Sequence, residues 1–297
     1  MVSSRREFLA HCSTAAAVGF TLSAPGSLLA VEKQNTSESK RIKKAVKIGM
    51  VGVPGTLAEK MTVLKELGFD GLELDSPGGP EPNEVQEAVK SSGIPVHGVV
   101  DSIHWKTRLS DPSEEVRQQG LEGLLTAIKA SKAYGGTSVL LVPGVVNKDA
   151  TYEQCWDRSI EQIKKALPLA TELNIQILME NVWNNFLTDP KETARFIDEL
   201  DSEMVGAYFD VGNTVKYSPP HEWVPILGQR IKKLDIKDYG KGKGFGAKLL
   251  EGDVDWPKVM AELREIDYQG WATAEISGGG KERLTEISER MDRIFAS

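Results

Sequence analysis

Residues 175–181 read Ile-Gln-Ile-Leu-Met-Glu-Asn, a short apolar run that ends on a carboxylate. The same design recurs downstream in GAYFDVGN (206–213), IKKLDIKD (231–238) and ATAEIS (272–277). Runs of this length bounded by turn residues read as buried strands, and a carboxylate closing each one is costly to bury without compensation. Working outward, strands are expected at 46–51, 70–74, 94–100, 137–142, 175–180, 205–210, 231–236 and 271–276. Helical periodicity separates them at 57–67, 83–92, 114–134, 155–173, 190–200, 255–266 and 281–295, with a short proline-broken segment at 221–228 in the sixth position. Asp189 before Pro190 and Asp255 near Pro257 read as helix starts, and Gly68, Gly93 and Gly135 as helix ends. Eight strand–helix alternations in about 250 residues have the rhythm of a single-domain α/β fold, the (β/α)8 or TIM barrel. A doubly wound open sheet is the alternative. It is disfavoured because Val53-Pro54-Gly55-Thr56 after the first strand is a turn and not a glycine-rich phosphate loop.

In such a barrel the chemistry gathers at the C-terminal ends of the strands. Glu180, Asp210, Asp235 and Glu275 close strands five to eight, so all four are expected on one arc of that rim. One acidic residue at a strand end is often only a helix cap or a solvated charge. Four together make an oxygen-rich pocket for a divalent cation, and all-carboxylate ligation favours the harder ions, Mn²⁺ or Mg²⁺, over Zn²⁺.

The first 44 residues stand apart. Ser4-Arg5-Arg6-Glu7-Phe8-Leu9 precedes a mildly apolar Ala/Ser/Gly-rich stretch to Ala30, the layout of a twin-arginine export signal spanning 1–30. The stretch is too polar to span a bilayer well, so membrane contact is expected only through this signal, and the mature protein is placed in the periplasm. Residues 31–44 lack apolar periodicity and read as a disordered linker, leaving 45–297 for the catalytic barrel. The chain carries 36 basic and 43 acidic residues, a net charge of −7, which does not attract nucleic acid or an anionic membrane. Of its 2 cysteines, Cys12 leaves with the signal. Cys155 alone can form neither an intramolecular disulfide nor a thiolate metal cluster.

The ordered motifs MEN, FDVGN, IKD and AEIS, together with GFDGLEL (68–74), the His104-Trp105 loop and LLEGDVDW (249–256), resemble the xylose-isomerase-like superfamily of sugar epimerases and isomerases. That resemblance covers the mature chain. It implies metal ligands at Glu180, Asp210 and Glu275 and a proton-exchanging role for Glu180 and Glu275. The seventh strand departs: where many relatives read His-x-Lys-Asp, this chain reads Asp235-Ile236-Lys237-Asp238, which turns a nitrogen ligand into a carboxylate. Asp235 is then either the fourth ligand or the ion-pair partner of Lys237, which shares its strand parity. Asn213 stands where ketohexose epimerases often carry histidine. The superfamily's nuclease branch uses a histidine-rich zinc cluster, which the 4 histidines of this acidic chain do not match.

The implied reaction is proton abstraction beside a carbonyl through an enediolate stabilised by the metal, one glutamate removing the proton and the other returning it. Epimerisation, isomerisation and elimination share that first step, so a lyase or dehydratase acting on 3-keto-glycosides or inososes is the alternative, and a secreted carbohydrate-binding barrel without chemistry is the third. The expected partner is a small sugar or oxidised glycoside; oligomeric state is left open. His104, Trp105, Trp183, Asn213 and Lys237 are the candidate substrate contacts, the tryptophans as an aromatic wall for a sugar's C–H face. Glu73 reads as a local ion-pair partner more readily than as a pocket residue, His97 as a barrel-interior residue, and Lys241–Gly246 as a lid or a solvated loop.

Overall fold

The computed structural model describes residues 42–297. The expected export signal and the linker as far as residue 41 lie outside the described residues. Eight parallel strands close into one barrel in sequence order: β1 Ile42–Lys47, β2 Gly71–Ser76, β3 Val96–Asp101, β4 Ser138–Leu141, β5 Gln176–Glu180, β6 Val205–Asp210, β7 Ile231–Ile236 and β8 Gly270–Ala274. Around it run α1 Leu57–Glu66, α2 Pro82–Ser92, α3 Glu114–Tyr134, α4 Tyr152–Leu173, α5 Pro190–Glu199, α6 Val211–Thr214, α7 Pro220–Leu227, α8 Trp256–Glu265 and α9 Lys281–Phe295. The closed barrel is the expected fold, and the open-sheet alternative is excluded. Among the described residues no helix is long and apolar enough to cross a membrane.

Local chemistry accounts for the helix boundaries. Thr56 and Glu59 form a reciprocal capping box at α1, as do Thr151 and Gln154 at α4. Asp189 accepts from the backbone N–H of Lys191 at 2.8 Å and of Glu192 at 3.1 Å, starting α5 at Pro190. Gly93 and Gly135 end α2 and α3 in the left-handed region, where a glycine avoids the Cβ penalty.

Two expectations need correction at the start of the barrel. The first strand runs over Ile42–Lys47 and not 46–51, residues 48–50 forming a turn of 3₁₀ helix, and residues 42–44 of the expected linker are paired with β8 from Ile42↔Gly270 onward. The lysines disguised it. Lys44 buries its stem outward and bonds Ser288 Oγ at 2.8 Å and Asp292 at 2.7 Å on α9, while the Lys43 ammonium lies 5.2 Å from the Trp271 ring centroid. A strand whose polar heads all find partners does not look apolar.

The core between barrel and helices is continuous. Inside the barrel, Leu140, Leu178 and Tyr208 form a small apolar cluster, crossed by a polar chain. Lys233 Nζ meets His97 Nδ1 at 2.9 Å, His97 Nε2 meets Thr273 Oγ1 at 3.2 Å, Thr273 Oγ1 meets the Tyr208 hydroxyl at 2.7 Å, and that hydroxyl donates to Glu73 Oε1 at 3.0 Å. His97 is thus the satisfied interior residue its position suggested, and Glu73 anchors the chain beneath the rim.

Candidate active site and metal centre

Glu180 is the last residue of β5 and Asp210 the last of β6; Asp235 is the penultimate residue of β7, and Glu275 follows β8 directly. The parallel register puts Asp210 opposite Asp235, so neighbouring strands deliver carboxylates side by side. One oxygen from each of the four lies within 4.8 Å of those of the others. The arc expected from the sequence is present. It opens into a cavity of about 650 Å³ whose lining includes Glu180, Glu275, Lys47 and Lys237 together with His104, Trp105, Trp183 and Asn213.

Each carboxylate is held differently. Asp210 accepts from the Asn213 N–H at 2.8 Å and from Asn213 Nδ2 at 2.7 Å, and its own backbone exchanges two hydrogen bonds with the Asn181 side chain. Trp183 Nε1 donates to the Asn213 carbonyl at 2.7 Å, so Asn213 and Trp183 brace the site in addition to lining the cavity. His104 lines the wall while its Nδ1 accepts from the Val142 N–H at 3.3 Å, and burial brings its pKa down to about 3, which keeps the ring neutral. Trp105 presents an open face to the cavity.

Two lysines stand among the acids, and one of them was missed. Lys47, the last residue of β1, lies 2.9 Å from Asp235 Oδ2, 3.1 Å from Glu275 Oε1 and 3.9 Å from Glu73 Oε2. Lys237 pairs with Asp210 Oδ2 at 2.9 Å and with Glu275. The pairing of Asp235 with Lys237 that strand parity allowed is therefore not the one made. Both side chains point inward, but Lys237 sits at the outer rim beside Asp210 and Glu275, whereas Asp235 lies one step deeper, level with the end of β1. Nothing in IKKAVK singles out Lys47 without knowing where β1 ends.

The charges fit a cation. Burial drives the Asp235 carboxyl far above its ordinary range, lifts Asp210 to about 6 against the pull of Lys237, and raises Glu180 to about 8, with Glu275 adding repulsion. Glu275 is also desolvated, yet Lys47 and Lys237 outweigh that and hold it at about 2. Asp235 Oδ1 is buried without a hydrogen-bond partner. An orphaned carboxylate oxygen beside three converging carboxylates is a set of oxygen donors that could hold a divalent cation, whose charge would reverse the upward shifts.

Comparison with known proteins agrees with this geometry. The family description "Xylose isomerase-like TIM barrel" matches residues 61–295. The chain is similar to L-ribulose-5-phosphate 3-epimerase UlaE of Salmonella heidelberg, 23% identical over 80% of this chain and 88% of that protein. Among solved structures it resembles the 3-keto-D-glucoside 4-epimerase YcjR from E. coli, with a TM-score of 0.74 and 16% identity, covering 86% of this chain and all of that one. It also resembles D-allulose 3-epimerase from Methylomonas sp., with a TM-score of 0.71 and 16% identity, covering 86% and 98% of the two chains. With a family match over well more than half of its 297 residues, a closed eight-stranded barrel and an acidic arc at the strand ends, the chain belongs to the xylose isomerase-like TIM barrel family.

Proposed function

We propose that this protein is a divalent-cation-dependent sugar epimerase or isomerase that removes and returns a proton on a carbon beside a carbonyl. The observation that carries the proposal is the convergence of Glu180, Asp210, Asp235 and Glu275 within 4.8 Å, with Glu180 and Glu275 lining an open cavity. The epimerase activities named for its relatives support the reaction class. These four carboxylates would hold the cation, Mn²⁺ or Mg²⁺, which supplies Lewis-acid polarisation of the carbonyl when bound.

The chain's own residues divide the proton work. Glu180 at the end of β5 and Glu275 just after β8 are the proposed proton-exchanging pair: one removes the proton and the other returns it, and reversing the roles runs the reaction backward. Lys237 and Lys47 hold Glu275 in place from either side. His104, Trp105, Trp183, Asn213 and Lys237 are proposed to contact the sugar from the cavity wall. The purified protein, loaded with Mn²⁺ and incubated in D₂O with a panel of keto-sugars, should incorporate deuterium at the carbon beside the carbonyl. Absence of incorporation across the panel, with the cation demonstrably bound, would overturn the proposal.

The twin-arginine layout at Ser4–Leu9 supports work outside the cytoplasm. Replacing Arg5 and Arg6 together with lysine should then retain the protein in the cytoplasmic fraction, and unchanged partitioning would reject export by this route.

A further inference from the structure

Among the described residues only two large hydrophobic side chains are exposed, Trp105 at 53% and Phe245 at 38%, and both line the same cavity. They come from opposite sides of the barrel. Trp105 lies in the loop between β3 and α3 and Phe245 in the loop between β7 and α8, half the closed strand order apart. Neither ring is loose. Trp105 packs edge-on against His104 at 5.5 Å between centroids, and Phe245 rests on Trp183 at 4.7 Å and Tyr239 at 5.2 Å. Two braced aromatic rings partly open to water at the mouth of a polar pocket, Phe245 with the Lys237 ammonium 5.2 Å from its ring centroid, carry a hydration cost unless a ligand covers them.

The charges narrow what that ligand is. The charged lining comprises Lys47 and Lys237 against Asp75, Glu180 and Glu275, beside the neutral His104 and with no arginine, and both ammonium groups are committed to carboxylates. A phosphate on the substrate would find no uncommitted ammonium or guanidinium group among these lining side chains. A volume of about 650 Å³ lies in the range that encloses a drug-sized ligand, with space beyond one sugar ring.

We propose that Trp105 and Phe245 form an aglycone subsite above the carboxylates, and that the substrate is an uncharged glycoside bearing a ring ketone, whose apolar aglycone sits between them. The assignment rests on the proposed reaction in one respect: the sugar carbon that exchanges its proton occupies the floor beside Glu180 and Glu275. Aromatic contact with the aglycone then stabilises the glycoside over the free sugar.

Titration calorimetry on the full chain loaded with Mn²⁺ tests it, using matched methyl and phenyl β-glycosides of glucose and galactose, each oxidised to a ring ketone. The phenyl member of at least one pair should bind about 10-fold tighter than its methyl partner, and Trp105→Ala or Phe245→Ala should each cut that ratio by roughly 3- to 10-fold, the size of one aromatic contact. Trp105→Phe should restore most of it, which separates a stacking role from a fold defect. Equal affinity for phenyl and methyl members, binding of none of the four, or a ratio preserved in both alanine variants overturns the subsite. Tighter binding of ribulose 5-phosphate than of ribulose overturns the uncharged substrate. Deuterium exchange with free keto-sugars probes the carboxylate reaction independently, so a failed subsite with retained exchange leaves that reading standing.

Discussion

Lys47 Nζ lies 2.9 Å from Asp235 Oδ2, an ion pair that reaches from the end of β1 past β8 to β7. With Asp235 ionised, the two side chains together carry no net charge, as a neutral imidazole at position 235 would. The pair thus offsets the extra negative charge that a fourth carboxylate brings to the arc. Asp235 keeps its other oxygen unpartnered, so the pairing leaves it able to bind a cation.

If Lys47 is the resident counter-charge, Lys47→Met leaves the buried Asp235 and Glu73 and the partly buried Glu275 without it. In chelator-treated protein the expected loss is about 3–5 kcal/mol in urea unfolding, the cost of breaking a buried pair by removing one partner. Saturating Mn²⁺ should recover much of that loss. A variant as stable as the parent in chelator would dismiss the role.

The ligand role of Asp235 is tested by its own substitutions. Asp235→Ala should weaken Mn²⁺ and Mg²⁺ alike in titration calorimetry, whereas Asp235→His should move preference toward Zn²⁺ or Co²⁺ by exchanging an oxygen donor for nitrogen. Because histidine leaves Lys47 with fewer carboxylates, Asp235→His should be tolerated better together with Lys47→Met than the two separate losses predict. Strict additivity in that cycle would show that the two residues are not coupled.

Glu180→Gln and Glu275→Gln keep side-chain volume and remove the titrating oxygen. Each should slow solvent-proton exchange by about 10²- to 10⁴-fold, with circular dichroism and melting behaviour showing an intact barrel. Exchange at parental rates in both variants would take the glutamates out of the mechanism.

Away from the arc, Asp101 ends β3 fully buried, with Oδ1 accepting from the Ile103 N–H at 3.3 Å, and burial lifts its pKa to about 7. A raised folded-state value means that between about pH 4, the unfolded value, and pH 7 the native state holds the extra proton. Stability therefore falls as pH rises through that window, and the cost persists above it. Asp101→Asn keeps the acceptor and cannot ionise. Its stability advantage over the parent should be near zero at pH 4 and grow to roughly 1–3 kcal/mol by pH 8. An advantage that does not vary with pH would contradict this account.

The amino-acid sequence by itself determined the eightfold alternation and the four strand-end carboxylates, because strand and helix periodicity, caps and terminal acids are local signals readable within a dozen residues. The same locality made β1 start late in the sequence reading, since Lys43, Lys44 and Lys47 reveal a strand only when Trp271, α9 and Asp235 are in place to receive their heads. Which charge neutralises which was decided by closure of the barrel. Lys47 and Asp235 are 188 residues apart, and parity along β7 allowed Lys237 as a local partner. Likewise the brace of Asn181 and Asn213 around Asp210, and the meeting of Trp105 and Phe245 in the lining of one cavity, exist only once strands distant in sequence are brought together. Side-chain periodicity tells which face a residue takes. Its partner across a closed barrel depends on the stagger of all eight strands, a property of the whole sheet that no single segment carries.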